Sequence, residues 1–127
     1  MIPAKREIND GKEELEEVIK RIENHINEKK SYLNPDINLK SFSKDIRLPE
    51  RIISRAINRI EHKNFNGYIN SYRVKECKRL LLSEKYEQYS ISAIADEVGF
   101  SSRASFYKNF KEIAGVSPSE YIKSVNN

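Results

Sequence analysis

Apolar residues recur at helical spacing along almost the whole chain, and the polar breaks between them are short. Over residues 12–30, Leu15, Val18, Ile19, Ile22 and Ile26 fall on one side of a helix. Glu13, Glu14, Glu16 and Glu17 lie near its N-terminal end and Lys29 and Lys30 near the other, each favourable to the helix dipole. Residues 32–38, with Pro35 inside, read as a loop. A helix is expected from about 39 to 46, then a turn at Arg47-Leu48. Pro49 opens the next helix, where its missing N–H costs nothing, and that helix runs to about Glu61 with Ile53, Ala56, Ile57 and Ile60 inward. Asn64-Phe65-Asn66-Gly67 breaks the chain, a long connecting helix covers about 68–82, and 83–90 form a polar loop. No strand period persists, so the fold class expected is all-α.

The stretch 91–121, ISAIADEVGFSSRASFYKNFKEIAGVSPSEY, carries the most information. Ile91, Ile94, Ala95 and Val98 make an apolar stripe, and Gly99 ends that helix where the backbone needs a positive φ. The following helix points Phe106, Phe110 and Ile113 inward and Arg103, Tyr107, Lys108 and Lys111 outward. Ser117-Pro118-Ser119-Glu120 is a capping box with proline at the first helical position. Two short helices joined by a tight turn, the second basic on its outer face, is the layout of a helix-turn-helix DNA reader.

The same pattern occurs earlier. LKSFSKDI (39–46) aligns with ISAIADEV (91–98) at an offset of 52, with apolar 39, 42 and 46 on 91, 94 and 98 and Ser43 on Ala95. After the turn the offset becomes 53, placing Ile53 on Phe106, Arg55 on Lys108 and Ile57 on Phe110, so the second turn is one residue longer. The organisation expected is a flexible lead-in at 1–11, a first helix-turn-helix subdomain at 12–66, a linker helix at 67–83 and a second subdomain at 84–127.

Charge sharpens this picture. The 127 residues carry a formal net charge of +4. Residues 1–38 hold 7 basic and 9 acidic side chains, whereas 39–127 hold 16 and 10, so the positive balance belongs to the segment with the repeated motif. A single cysteine, Cys77, excludes an internal disulfide, fits a reducing compartment and reads as core packing. With only His25 and His62 beside it, no four-ligand zinc spacing exists. No phosphate-cradling glycine loop or nucleophile–base pair occurs, so no enzyme, metal or cofactor is expected. Neither a membrane span nor a secretory signal is present.

IADEVGFSSRASFYKNFKEIAGVSPSEY closely resembles the second helix-turn-helix signature of the AraC/XylS family of bacterial transcription regulators, and YINSYRVKECKRLLL (68–82) resembles its linker helix. The resemblance covers about residues 15–123. It implies a seven-helix module whose two recognition helices enter adjacent major-groove segments on one DNA face. Departures lie in the first unit: Arg47 stands where a turn glycine is common, Pro49 where a capping serine or threonine is usual, and Phe42-Ser43 replaces Leu-Ala. The expected partners are double-stranded DNA, RNA polymerase and a sensor or dimerisation domain outside this chain, in the bacterial cytoplasm and nucleoid. Only a dozen residues precede the first helix, so either a stand-alone module or a portion of a longer regulator is expected.

Candidate base-reading residues are Glu50, Arg51, Ser54 and Arg55 in the first unit and Arg103, Ala104, Tyr107 and Lys108 in the second. Arginine can make two hydrogen bonds to a guanine edge, and alanine can meet a thymine methyl. Tyr107 reads a base or bonds a phosphate. Lys40, Ser41, Asn58, Ser92, Ser102, Ser105 and Lys111 are phosphate candidates near helix starts. Arg47 and Arg59 read as structural or phosphate contacts, and Arg73 as an internal salt bridge or a backbone contact. The alternatives weighed against sequence-specific binding are a helical protein-interaction module using the stripe of residues 12–30, and a nonspecific DNA binder.

Overall fold

The computed structural model describes residues 11–126 and is all-helical, with no strand among the described residues. The expected lead-in at 1–11 lies outside them apart from Gly11. Seven α-helices follow in order: α1 (Lys12–Lys29), α2 (Leu39–Ile46), α3 (Glu50–Glu61), α4 (Phe65–Leu81), α5 (Ile91–Glu97), α6 (Arg103–Ala114) and α7 (Pro118–Asn126). Single 3-10 turns, Ser31–Leu33 and Glu84–Tyr86, lie in the loops before α2 and α5. The chain divides into two compact units. The first holds the described residues through Ser31 and Asn38–Tyr68; the second holds Tyr32–Ile37 and the chain from Ile69 onward.

In the first unit all five stripe residues of α1 are buried, Leu15, Ile22 and Ile26 completely. α1 packs against α3, which buries Ile52, Ile53, Ala56 and Ile57. Ile60, expected inside, is only half-buried, and Ile52 takes the inward place instead. Phe42 fills the centre, its ring 5.5 Å from His25 and 5.4 Å from Phe65. Each fully buried aliphatic side chain contributes roughly 1.5–3 kcal/mol, so the α1 stripe is spent on this core.

The departures in the first turn have a physical account. Arg47 takes the left-handed conformation, φ 61°, that glycine adopts more readily. Ser43 stabilises the turn by donating its hydroxyl to the Leu48 carbonyl at 2.5 Å, and Leu48 itself is buried. Pro49 is the residue before the helix and not its first member, with extended backbone and no side-chain cap.

The core of the second unit is Val74, Cys77, Leu80, Ile94, Ala95, Val98, Phe100, Phe106 and Phe110, with Tyr86, Ala114 and Tyr121 packed against it. Ile113 is a correction: it is 41% exposed. Four-residue steps from Phe106 through Phe110 reach Ala114, and it is Ala114 that meets the core. Asn64 is a second correction, because it starts a helix where a break was expected. Its side chain accepts the Gly67 N–H at 2.7 Å and its carbonyl accepts the Tyr68 N–H at 2.9 Å, so α4 begins at Phe65. Arg73 is a third. It is buried and donates to the carbonyls of Tyr32 and Asn34 and to Asn70 Oδ1, neither an ion pair nor an outward cation.

Candidate nucleic-acid interface

Each unit presents a 12-residue helix, α3 or α6, as the second member of a helix-turn-helix pair. Local chemistry fixes the frame of both pairs. Asn38 caps α2 through Ser41 N–H at 2.9 Å, and Ser90, 52 residues later, caps α5 through Ala93 N–H at 3.0 Å. Arg47 and Gly99, the same offset apart, both adopt positive φ. His62 and Gly115 end α3 and α6 in left-handed conformations. Asn64 and Ser117, 53 apart, start the helices that follow; Ser117 and Glu120 form the expected reciprocal capping box.

On α3 the outward residues are Glu50, Arg51 and Asn58, all exposed, with Ser54 and Arg55 half-buried beside them. Arg51, Ser54, Arg55 and Asn58 come together around an open cleft of about 540 Å³, which Arg59, Asn64 and Phe65 complete. Glu50 lies outside that lining. Three guanidiniums one turn apart, flanked by hydroxyl and amide groups, make a donor-rich surface suited to anions and to acceptor-bearing edges. The part of Asn64 in this cleft was hidden because the residue read as a chain break.

On α6, Arg103, Ala104, Lys108 and Lys111 are exposed and Tyr107 is 44% exposed, its ring resting 4.9 Å from Phe106. Spacings of one, three and four residues place them along one helical face.

The phosphate candidates separate by how their groups are engaged. Lys40 and Ser92 are second residues of α2 and α5, Lys40 exposed and Ser92 half-buried. Ser41 is exposed, but its hydroxyl already donates to the Asn38 carbonyl at 3.0 Å and accepts the Asn38 N–H at 3.3 Å. Ser102 is exposed and caps α6, accepting the Ser105 N–H at 3.1 Å. Ser105 is half-buried, and its hydroxyl accepts from Asn109 Nδ2 at 3.3 Å. The hydroxyls of Ser41 and Ser102 therefore serve helix starts, and that of Ser105 is engaged within α6.

Comparison with known proteins agrees with this layout. A family described as a helix-turn-helix domain matches residues 42–124. The regulatory protein PocR of Salmonella typhimurium is 26% identical over 96 residues, which cover 76% of this chain and 31% of that protein. The transcriptional activator RhrA of Rhizobium meliloti is 39% identical over 79 residues, 60% of this chain and 25% of its own length. The chain thus spans about a third or less of these relatives. Among solved structures, the C-terminal domain of AraT, a response regulator from Geobacillus stearothermophilus, matches with a TM-score of 0.69 at 25% identity over 84% of each chain. The family match over most of the chain, on a fold with two helix-turn-helix pairs, places this protein in the AraC/XylS-type family of DNA-binding transcription regulators.

Proposed function

We propose that the chain binds double-stranded DNA sequence-specifically, with α3 and α6 as recognition helices in adjacent major-groove segments, and thereby regulates bacterial transcription. One observation carries this reading. In both units the second helix of the pair buries one side and leaves cations and hydrogen-bonding groups on the other, with Arg55 and Lys108 at equivalent positions. Arg51, Arg55, Arg103 and Lys108 face base edges, with Glu50, Ser54, Ala104 and Tyr107 shaping selectivity around them. Lys40, Asn58, Ser92, Ser102 and Lys111 hold phosphates and set register. RNA polymerase and a sensor or dimerisation domain are further partners, and the cytoplasm is the working compartment.

In vitro selection from random duplexes, followed by single alanine substitutions at Arg51, Arg55, Arg103 and Lys108, tests the reading. Each loss at a base edge should cost roughly 1–3 kcal/mol and relax preference at its own position. Unchanged affinity and preference in all four variants would reject the reading face. A nonspecific binder would instead show steep salt dependence with no enriched site. The protein-interaction alternative loses its main support, since the α1 stripe is buried within the first unit.

A further inference from the structure

We propose that Arg73, with the strap 32–37 that it binds, is the positioning residue for the second reading helix, α6. This rests on α6 reading DNA, and it adds a residue remote from the reading face.

Arg73 is 8% exposed on α4. Its Nε donates to the Tyr32 carbonyl at 2.7 Å, Nη2 to the Asn34 carbonyl at 2.9 Å and Nη1 to Asn70 Oδ1 at 2.9 Å. All three partners are neutral oxygens, and burial lowers the arginine pKa. A buried cation without a carboxylate gains no ion-pair energy against its desolvation. What arginine supplies is a rigid planar fork, able to fix two carbonyls of one short segment at once. The strap is tied to α4 a second time, where the Tyr32 ring stacks on Tyr72 at 5.8 Å and its hydroxyl reaches Glu76 at 3.5 Å, while Arg79 pairs with Glu76.

The fixed strap is the floor on which the second turn rests. Gly99 has φ +101°, and a Cβ there would lie 2.3 Å from the Tyr32 carbonyl oxygen, 3.1 Å from Leu33 C and 3.0 Å from Arg73 Nε. Two independent constraints, conformation and space, thus require glycine in this turn. Phe100, next in sequence, has the Arg73 guanidinium 5.8 Å from its ring centroid and packs 5.3 Å from Phe106 on α6. The path from Arg73 to strap, turn, Phe100 and α6 is continuous contact. The first unit holds a counterpart 52 residues earlier: Arg21 Nη2 donates directly to the Ile46 carbonyl at the end of α2, at 2.8 Å. In the second unit the same job is done through the strap.

The test uses the full chain with R73K and a second variant, P35G, which loosens the strap at an exposed residue without removing a packed side chain. Amide hydrogen exchange without DNA should rise about tenfold or more at Gly99 and Phe100, whose N–H groups bond to Asp96 and Ala95 carbonyls, while α1 and α3 amides keep their rates. Nucleotide-resolved footprinting on the selected duplex should lose protection over the α6 segment and retain it over the α3 segment. P35G should show both effects more weakly, and it decides the matter if R73K does not fold. Exchange at the turn that stays at the wild-type rate, or protection that fades equally over both segments with the folded fraction, would overturn the proposal. A wild-type chain without an enriched site would reject DNA reading by α6, while the exchange rates would still judge whether Arg73 holds the turn.

Discussion

Single residues show where side-chain chemistry is used up and where it stays available. Cys77 is fully buried in the second core, and desolvation pushes its thiol up to about 12. A thiol in that state is a small apolar filler and a poor nucleophile, since only the thiolate attacks. Iodoacetamide should therefore modify Cys77 only as fast as the second unit opens, with labelling accelerated sharply by urea through the unfolding transition. The sign of the pH effect follows. The folded pKa lies above the unfolded one, so the stabilisation is complete below the ordinary thiol range and is lost as pH rises from about 9 toward 12. Stability measured across that window should fall more steeply for wild type than for Cys77→Ala. The burial of this residue was legible from its place among apolar neighbours. The use of Arg73 was not, because its acceptors are backbone carbonyls 39 and 41 residues away in sequence, and no spacing rule announces them.

Helix ends decide how the elements are framed, and they are unevenly legible in the sequence. The α1 stripe, the turn glycine and the Ser117–Glu120 box were legible because period, positive φ and reciprocal capping are local properties. Asn64 is not legible as a cap because Asn-Phe-Asn-Gly has the composition of a turn, and only the Gly67 N–H on its side chain shows its role. The exposure of Ile113 is not legible, because seven residues from Phe106 return it to nearly the same side of the helix, yet Ala114, four residues beyond Phe110, is the one that meets the core. Ser102 separates the two helix starts most clearly, since Pro49 at the equivalent place offers no side-chain cap. Ser102→Ala should cost about 1 kcal/mol, with a range of roughly 0.5–2. Pro49→Ser should change stability by less than that, because the Ile52 N–H that a serine hydroxyl would cap already bonds the Pro49 carbonyl at 3.1 Å and the fixed proline φ is lost. Urea denaturation of both single variants measures the two effects, with the larger change expected for Ser102→Ala.

Across the whole molecule the repeat preserves what faces inward and changes what faces outward. At an offset of 53, Glu50 is matched by Arg103, Arg51 by Ala104, Ser54 by Tyr107, Arg55 by Lys108 and Asn58 by Lys111. The main buried positions correspond while the outward chemistry does not, so on the proposed reading α3 and α6 should prefer different bases. Arg51 and Arg55 favour guanine edges, whereas Ala104 offers a methyl-sized apolar contact suited to thymine. The enriched duplex should therefore contain two unlike segments, guanine-bearing where α3 docks and richer in A·T where α6 docks. Arg51→Ala should relax preference within the guanine-bearing segment alone, and Ala104→Arg should shift only the other segment toward guanine. Lys40→Ala and Lys111→Ala, by contrast, should weaken binding to all sequences about equally and each reduce the salt slope by about 1. Selection repeated with each variant distinguishes these outcomes. One motif repeated in tandem, or a blur spread over both segments by Arg51→Ala, would show that the outward differences between α3 and α6 do not set what each reads.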